Sequence, residues 1–514
     1  MANIKNILTS KKAAIIISYI SLGIHTLNNI ILTPFYIKYL GLEQYGLYQM
    51  IYTIASYILI LDFGIKTTMV RYISKFHVEN DYESEKDFSA HCLILVSAIS
   101  VAVLLVGSVI NYFLLKIYPT ITADESELAH QIFIAMLGIV LATLVERYLQ
   151  GCVASYEHFV VFNVTSVLRL ILKLVLTIVL LMNGTGVLAI VIVDLIAIIF
   201  SVVMLAFYTF GQLNFRIRLK KFKISLITDM FVFMIPVFLQ SVISYINSYV
   251  DKTILGIMTT KSDVAVYSVA MTFVTLFNAL PSAISSVFLP QANKLVYGNN
   301  CTGDTMTAFI IRPGRYQFMM CAGLIGGFLA FGKEFIFLWS GEDTVQAWFV
   351  ALVIMIPTTI PLIENTIISI LDAMSKRLFR SVVLIMISVL NVIVSIVLVS
   401  LYGMEGAPIG TAIAFILGYG VILNIYYHKC IGINIVRMFK SIFSKTWICA
   451  LIPILLSFPL NMIINNYSWL GFVVKCSVFI AVYIVLLFAF GFNKQEKNDI
   501  NGMLKRFHII RSNF

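Results

Sequence analysis

The chain has 514 residues, of which 60% are hydrophobic and only 12% are charged. A soluble domain carries roughly 25% charged residues, so this composition, with a mean hydropathy of +0.95, excludes a soluble globular protein. The net charge of +11 does not indicate a nucleic-acid partner, because positive loop charges set the topology of a membrane protein.

Apolar runs of about 20 residues recur along the chain, and each is long enough to cross a hydrocarbon core of ~30 Å as a helix. Charged residues, Gly and Pro bound these runs. The sequence therefore predicts an all-α, polytopic integral membrane protein with fourteen spans. In chain order these lie at 13–37, 44–64, 90–115, 129–152, 160–182, 186–208, 227–250, 264–290, 312–332, 346–372, 380–401, 406–427, 446–464 and 468–492.

The distribution of Lys and Arg predicts the orientation of these spans. With a cytoplasmic N-terminus, 28 of the 36 cations fall on the cytoplasmic side, five fall outside and three lie within spans. Because positive loops are retained in the cytoplasm, we expect both termini there. The same alternation places Lys221 and Lys376 in the cytoplasm, with Thr185 and Glu405 outside.

An internal repeat divides the chain. A shift of 219 residues aligns Gln44–Tyr48 with Asp263–Tyr267 and Asn28 with Asn247. Six spans per copy give both copies the same orientation, a parallel arrangement with the substrate between two pseudo-symmetric six-helix bundles. The predicted domains are a bundle at 1–212, a basic cytoplasmic linker at 213–226, a second bundle at 227–428, and two extra C-terminal helices with a cytoplasmic tail at 429–514.

Polar residues recur at helical spacing in the equivalent spans 1 and 7, where they either line one wet cavity or hydrogen-bond across packed helices. Asn28, Gln240 and Asn247 are the candidates for ligand contact. His25 is the only histidine well inside a span, and we expect a packed, neutral side chain. The stripes are Ser18, Ser21, His25 and Asn28 in span 1, and Gln240, Ser244, Asn247 and Asp251 in span 7.

Span 5 carries two cations, Arg169 and Lys173, one turn apart on one face. A cation within the membrane needs a partner. A pyrophosphate fits both, Arg as a bidentate donor and Lys as a point charge. An internal pair of Lys173 with Asp194 is equally open, because the helical rise puts both at one depth. Arg169 has no acid at its level in span 6, which favours a ligand.

Two further sets of charged residues lie near the ends of spans 4 and 2. Arg147, beside Glu146, either continues the cationic path or reaches the cytoplasmic surface, and the second interpretation is favoured. Asp62 and Lys66 are one turn apart and predict an interfacial pair.

Glu364 follows Pro357 and Pro361 in span 10. Prolines free backbone carbonyls, a pattern typical of ion sites in broken helices. Glu364 is therefore a candidate for proton or sodium coupling, as is Asp194. The alternative is an acid that is protonated or paired with an Asn.

Three segments resemble a known family. The sequence YLGLEQYGLY at Tyr39–Tyr48, continued by LDFGI at Leu61–Ile65, resembles the N-terminal signature of the polysaccharide exporter family. That family includes O-antigen and capsule flippases of the multidrug/oligosaccharidyl-lipid/polysaccharide exporter superfamily. Weaker resemblances lie at Tyr249–Gly256 and Glu146–Gly151.

The resemblance implies a flippase that moves an undecaprenyl-pyrophosphate-linked oligosaccharide across the bacterial cytoplasmic (inner) membrane by alternating access. It also implies a polysaccharide polymerase and chain-length proteins as partners, beside membrane lipid, and a role in lipopolysaccharide biosynthesis. Fourteen spans are also similar to the lipid II flippase branch.

Two rival functions remain. A drug extruder of the same superfamily would be expected to use an acid-rich cavity, whereas Arg169 and Lys173 favour an anion. A membrane-embedded glycosyl transferase or polymerase is disfavoured by the short outside loops and the repeat. The sequence carries no P-loop, H-E-x-x-H or G-x-S-x-G motif, so we expect no enzyme, no metal site and no cofactor.

Overall fold

The computed structural model describes residues 11–220, 222, 224–298, 302–374, 376–464 and 467–499, and all regular secondary structure in these ranges is helical. Lys221, part of the predicted linker charge, lies outside the described residues, as does the end of the predicted tail from residue 500. The helices are α1 (Lys11–Ile58), α2 (Ile65–Val78), α3 (Tyr82–Ile117), α4 (Ser126–Ser155), α5 (Phe159–Met182), α6 (Val187–Phe207), α7 (Ile224–Met258), α8 (Lys261–Tyr297), α9 (Gly303–Ser340), α10 (Ala347–Ile363), α11 (Asn365–Ala373), α12 (Arg377–Tyr402), α13 (Gly406–Phe415), α14 (Asn424–Tyr426), α15 (Ile435–Phe443), α16 (Thr446–Ile463) and α17 (Trp469–Leu486).

Within the described ranges, twelve helical stretches are long and apolar enough to cross a membrane. Two are much longer than the rest, Gly23–Val78 with 56 residues and Phe379–Ile431 with 53. The first is broken at Gly41, where φ is 77°, and the second at Gly403, where φ is 60°. Since one crossing needs about 20 residues, dividing both stretches agrees with the fourteen predicted spans. The predicted all-α, multi-pass membrane fold is confirmed.

The chain forms two compact units. Unit 1 comprises Met1–Ser268 and Val399–Ala407, and unit 2 comprises Val269–Leu398 and Pro408–Phe514. In unit 1, α4 packs on α6, and α5 packs against both α1 and α6. This packing brings the charged residues of three predicted spans together. The predicted domain boundaries stay a prediction.

In unit 2, α9 packs against α10, α15, α16 and α17. Buried ion pairs hold these contacts. Lys475 Nζ of α17 donates to Glu334 Oε2 of α9 at 2.8 Å, and Arg315 Nε of α9 donates to Glu496 Oε1 at 2.6 Å. Arg315 also donates to the carbonyl oxygens of Ser441 and Gly491. Charge therefore fastens α17, and the segment that follows it, to α9, whereas α16 packs against α9.

Two short amphipathic helices were not predicted, α2 and α15. In α15, Met438 and Ile442 are buried while Val436, Arg437 and Lys440 are exposed. A search for apolar runs of about 20 residues cannot find such helices, because half of their surface is polar.

Candidate functional site

A cavity of about 530 Å³ lies within unit 1 and is called here the unit-1 cavity. Helices α1, α4, α5 and α6 supply most of its wall. Its titratable lining residues, together with Asn28, are His25, Tyr48, Tyr52, Glu146, Arg147, Arg169, Lys173 and Asp194. The three cations that the sequence singled out therefore line one space.

Lys173 and Asp194 form an ion pair across α5 and α6. Lys173 Nζ lies 2.7 Å from Asp194 Oδ1 and 2.9 Å from Oδ2. Both side chains are only partly buried, with 25% and 16% exposed. Of the two alternatives for Lys173, the internal pair is therefore present, and the helical rise placed it correctly.

Arg169 also has an acidic partner, so the expectation that no acid opposes it is wrong. Its Nη1 donates to Glu146 Oε2 of α4 at 2.9 Å, and Ser201 Oγ of α6 donates to the other oxygen at 2.5 Å. The partner lies in span 4, so a comparison of depth with span 6 alone does not reveal it. Glu146 is nine residues before the end of α4 and Arg169 ten after the start of α5, which the helical rise puts at one depth.

Arg147 is the most weakly paired of the three cations. Its side chain is 42% exposed, and its Nε lies 3.9 Å from Asp62 Oδ2. It lines the unit-1 cavity, whereas the sequence favoured a position at the cytoplasmic surface. The predicted pair of Asp62 with Lys66 is also wrong, because Lys66 Nζ instead donates to Gln150 Oε1 at 3.3 Å.

The polar stripe of α1 reaches the cavity. Asn28 is buried and its Nδ2 donates to the carbonyl oxygen of Leu170 at 2.7 Å, which fastens α1 to α5. His25 lines the cavity and is exposed, so the expectation of a packed histidine is wrong. Gln240 and Asn247 of α7 are half-buried and are not part of the cavity lining. A ligand role for them stays a prediction.

Glu364 lies in unit 2, at the break between α10 and α11. Its side chain is 3% exposed. Asn424 Nδ2 donates to Oε1 at 2.7 Å, while Oε2 is buried with no hydrogen-bond partner among the described residues. The predicted break of span 10 and the Asn-paired alternative are confirmed, and a coupling role stays a prediction.

The unit-1 cavity thus holds three cations against two carboxylates. In a site partly shielded from water, each unpaired charge is costly. Glu146 and Asp194 compensate Arg169 and Lys173, so Arg147 gives the cavity wall its excess of positive charge. Such a wall can accept an anionic group of one or two charges.

Comparison with known proteins identifies the family of the chain. A model of the family described as "Polysaccharide biosynthesis protein" matches residues 11–296, more than half of the chain. The chain belongs to this family. The resemblance drawn from the signature at Tyr39–Tyr48 is thereby confirmed.

One curated relative of this family member is the probable low-salt glycan biosynthesis flippase Agl15 of Haloferax volcanii. The two are 21% identical over 188 residues. The match covers 37% of this chain and only 39% of the relative's length.

Solved structures share the fold of this family member. Lipid II flippase MurJ, in an inward closed conformation, matches with a TM-score of 0.69 and 16% identity over 93% of this chain and 98% of that one. An inward-facing MATE multidrug resistance transporter of the MOP superfamily matches with a TM-score of 0.63 and 14% identity, covering 87% and 99%. At these identities the likeness concerns the fold alone.

Proposed function

We propose that the protein is a flippase that moves a polyprenyl-pyrophosphate-linked oligosaccharide from the inner to the outer leaflet of a bacterial cytoplasmic membrane. The lipid is an undecaprenyl carrier with an O-antigen, capsule or similar repeat unit, moved by alternating access. The observation that carries the proposal is the unit-1 cavity, where Arg147, Arg169 and Lys173 line one space among apolar helices.

The pyrophosphate is the part of this substrate that the cavity can recognise. Arg147 has an exposed guanidinium and only a distant carboxylate, so it is available for a bidentate contact. Arg169 and Lys173 already hold carboxylates within 2.9 Å. A phosphate can share these cations or displace the carboxylates from them, and three cations near two phosphates would offset the cost of taking the head group out of water.

Transport then needs a driving force other than ATP, since the sequence carries no P-loop. A proton or sodium gradient acting through Glu364 or Asp194 is one source. Consumption of the product outside, by a polysaccharide polymerase with its chain-length proteins, is the other. The curated relative, which is described as a probable flippase, supports a transport role.

A multidrug extruder is the second candidate. Two carboxylates, Glu146 and Asp194, line the same cavity and could attract a cationic drug, and the fold is shared with a MATE transporter. The charge balance favours the first candidate, because both carboxylates already pair with cations of the protein.

Reconstitution into liposomes tests the two functions against each other. The probe is fluorescent undecaprenyl pyrophosphate carrying one N-acetylglucosamine, with accessibility to an impermeant quencher as the readout. We expect the wild type to equilibrate the probe between leaflets and the variant Arg169→Ala with Arg147→Gln to lose this activity. Uptake of ethidium without movement of the lipid would overturn the proposal in favour of the extruder.

A further inference from the structure

A line of tyrosine rings runs along one face of α1. Tyr45, Tyr48 and Tyr52 are three and four residues apart, the spacing of one helix face. The ring centroids of Tyr45 and Tyr48 are 6.4 Å apart with an interplanar angle of 20°. Those of Tyr48 and Tyr52 are 6.0 Å apart at 23°. The three rings are therefore stacked in sequence.

Helix α7 continues this line within unit 1. The ring of Tyr249 meets Tyr52 edge-on at 6.2 Å, and Tyr245 stacks on Tyr249 at 5.8 Å. Hydrogen bonds fix the far end, where Gln49 Nε2 donates to Tyr45 Oη at 2.9 Å. Lys252 Nζ of α7 donates in turn to Gln49 Oε1 at 3.2 Å. These contacts within unit 1 fix the positions of the rings.

Exposure rises along the line toward the cavity. Tyr45 and Tyr48 are 3% and 6% exposed, whereas Tyr52 is 40% exposed. Both Tyr48 and Tyr52 line the unit-1 cavity, together with Arg169 and Lys173. Tyr52 therefore exposes part of its side chain in the same polar space as two cations.

An exposed tyrosine ring is a suitable contact for a sugar. One side of a pyranose ring carries several C–H groups of slight positive charge, and the face of an aromatic ring is negative. In a sugar pyrophosphate the anomeric carbon of the sugar is joined to phosphorus through a single oxygen. Cations that hold the pyrophosphate therefore place the first sugar next to them.

We propose that Tyr52, backed by Tyr48 and Tyr249, is a carbohydrate platform on which the first sugar of the lipid-linked substrate stacks. The proposal rests on the proposed function and adds to it the recognition of the sugar, which the cations do not contact. Arg147, Arg169 and Lys173 then bind any polyprenyl pyrophosphate, and the platform distinguishes a glycosylated lipid from a bare one. A cavity of about 530 Å³ is within the 300–1,000 Å³ typical of small-molecule sites, which suits the sugar pyrophosphate head group of this substrate.

Two lipid probes separate these contributions, bare undecaprenyl pyrophosphate and the same lipid carrying one N-acetylglucosamine. Binding of each is measured to the full-length protein in nanodiscs, for the wild type, Tyr52→Phe and Tyr52→Leu. We expect the wild type to bind the glycosylated lipid about tenfold more tightly than the bare one. Tyr52→Phe should keep most of this preference, because the aromatic face survives, and Tyr52→Leu should abolish it while binding the bare lipid within about twofold of the wild type.

Tyr112→Leu is the matched control, since Tyr112 of α3 is 78% exposed and is not part of the cavity lining. It should behave as the wild type. If Tyr52→Leu does not fold, Tyr52→Gln, which also lacks a ring, gives the same readout. An equal loss for both lipids, or an unchanged preference, would overturn the platform. Failure of the wild type to bind either lipid would instead overturn the proposed function, and the platform with it.

Discussion

Three cations of the unit-1 cavity differ in how far their charge is already compensated. The nearest carboxylate oxygen is 2.7 Å from Lys173, 2.9 Å from Arg169 and 3.9 Å from Arg147. Attraction falls with distance and with exposure to water. Arg147 therefore has the least compensated charge of the three and is the most available to a ligand.

Arg147→Gln should lower the affinity for bare undecaprenyl pyrophosphate about tenfold, equivalent to about 1.4 kcal/mol. Arg147→Lys should recover part of it, because the charge remains and the bidentate geometry does not. Lys75→Gln on α2 is the control, since that side chain is 63% exposed in a loose pair with Glu79. Equal binding by Arg147→Gln and the wild type would remove Arg147 from the site.

Lys173 and Asp194 should respond as a pair. Lys173→Ala leaves Asp194 without its cation and should lower the free energy of unfolding by roughly 1–3 kcal/mol, less than for a fully buried pair. Adding Asp194→Asn should restore part of that loss, because no lone charge remains. Thermal unfolding of the four proteins in detergent gives the cycle. If the double variant is as unstable as the sum of the singles, the pair carries no coupling.

Helix breaks place polar groups at depth in this fold. Glu364 lies where α10 ends and α11 begins, and among the residues that the structure describes only one of its oxygens is bound, by Asn424. Glu364→Gln keeps an oxygen that can accept the bond from Asn424 and removes the ionisable group. If Glu364 couples an ion to transport, this variant should bind lipid-linked saccharide as the wild type does and lose gradient-driven flipping. Undiminished flipping at matched protein levels would leave Glu364 with a structural role only.

Close helix contact explains one glycine of the family signature. A Cβ at Gly46 of α1 would overlap the backbone carbonyl of Lys261, at the start of α8. That carbonyl belongs to the first residue of α8, and Lys261 is buried, so its backbone has little room to move. Gly46→Ala should therefore cost about 1–3 kcal/mol of stability through overpacking.

Gly186→Ala is the control for this substitution, since Gly186 has a φ of −79° and open space around its Cα. The measurement is the midpoint of thermal unfolding for the purified proteins. Similar midpoints for Gly46→Ala and Gly186→Ala would contradict the close contact.

Some of these elements follow from the sequence, and others do not. Apolar length predicts where helices cross, and the helical rise predicts depth, so the sequence allows a pair of Lys173 with Asp194 without deciding between it and a ligand. Depth in the next span alone does not reveal the partner of Arg169, because Glu146 lies on α4 at the same level. Which helices are neighbours depends on side-chain packing, and no spacing within one helix encodes it.

At the scale of the whole molecule, charge decides orientation. Positive loops are retained in the cytoplasm during insertion, so the 28 cations predicted on one side predict which side that is. Thr185 lies between α5 and α6, Glu405 between α12 and α13, and Lys376 between α11 and α12. Lys221 is outside the described residues, so Lys376 is the better marker for the predicted cytoplasmic side.

Single cysteines at these positions, in a chain without native thiols, should therefore divide into two classes. In intact cells an impermeant maleimide should label Thr185→Cys and Glu405→Cys, because both loops are predicted to face outside, and should label Lys376→Cys only after the membrane is opened. Lys376 and Glu405 flank one helix, α12, so that opposite labelling of the two also verifies one crossing between them. Labelling of Lys376→Cys in intact cells, at the rate of Thr185→Cys, would invert the topology and with it the direction in which the proposed flippase carries its lipid.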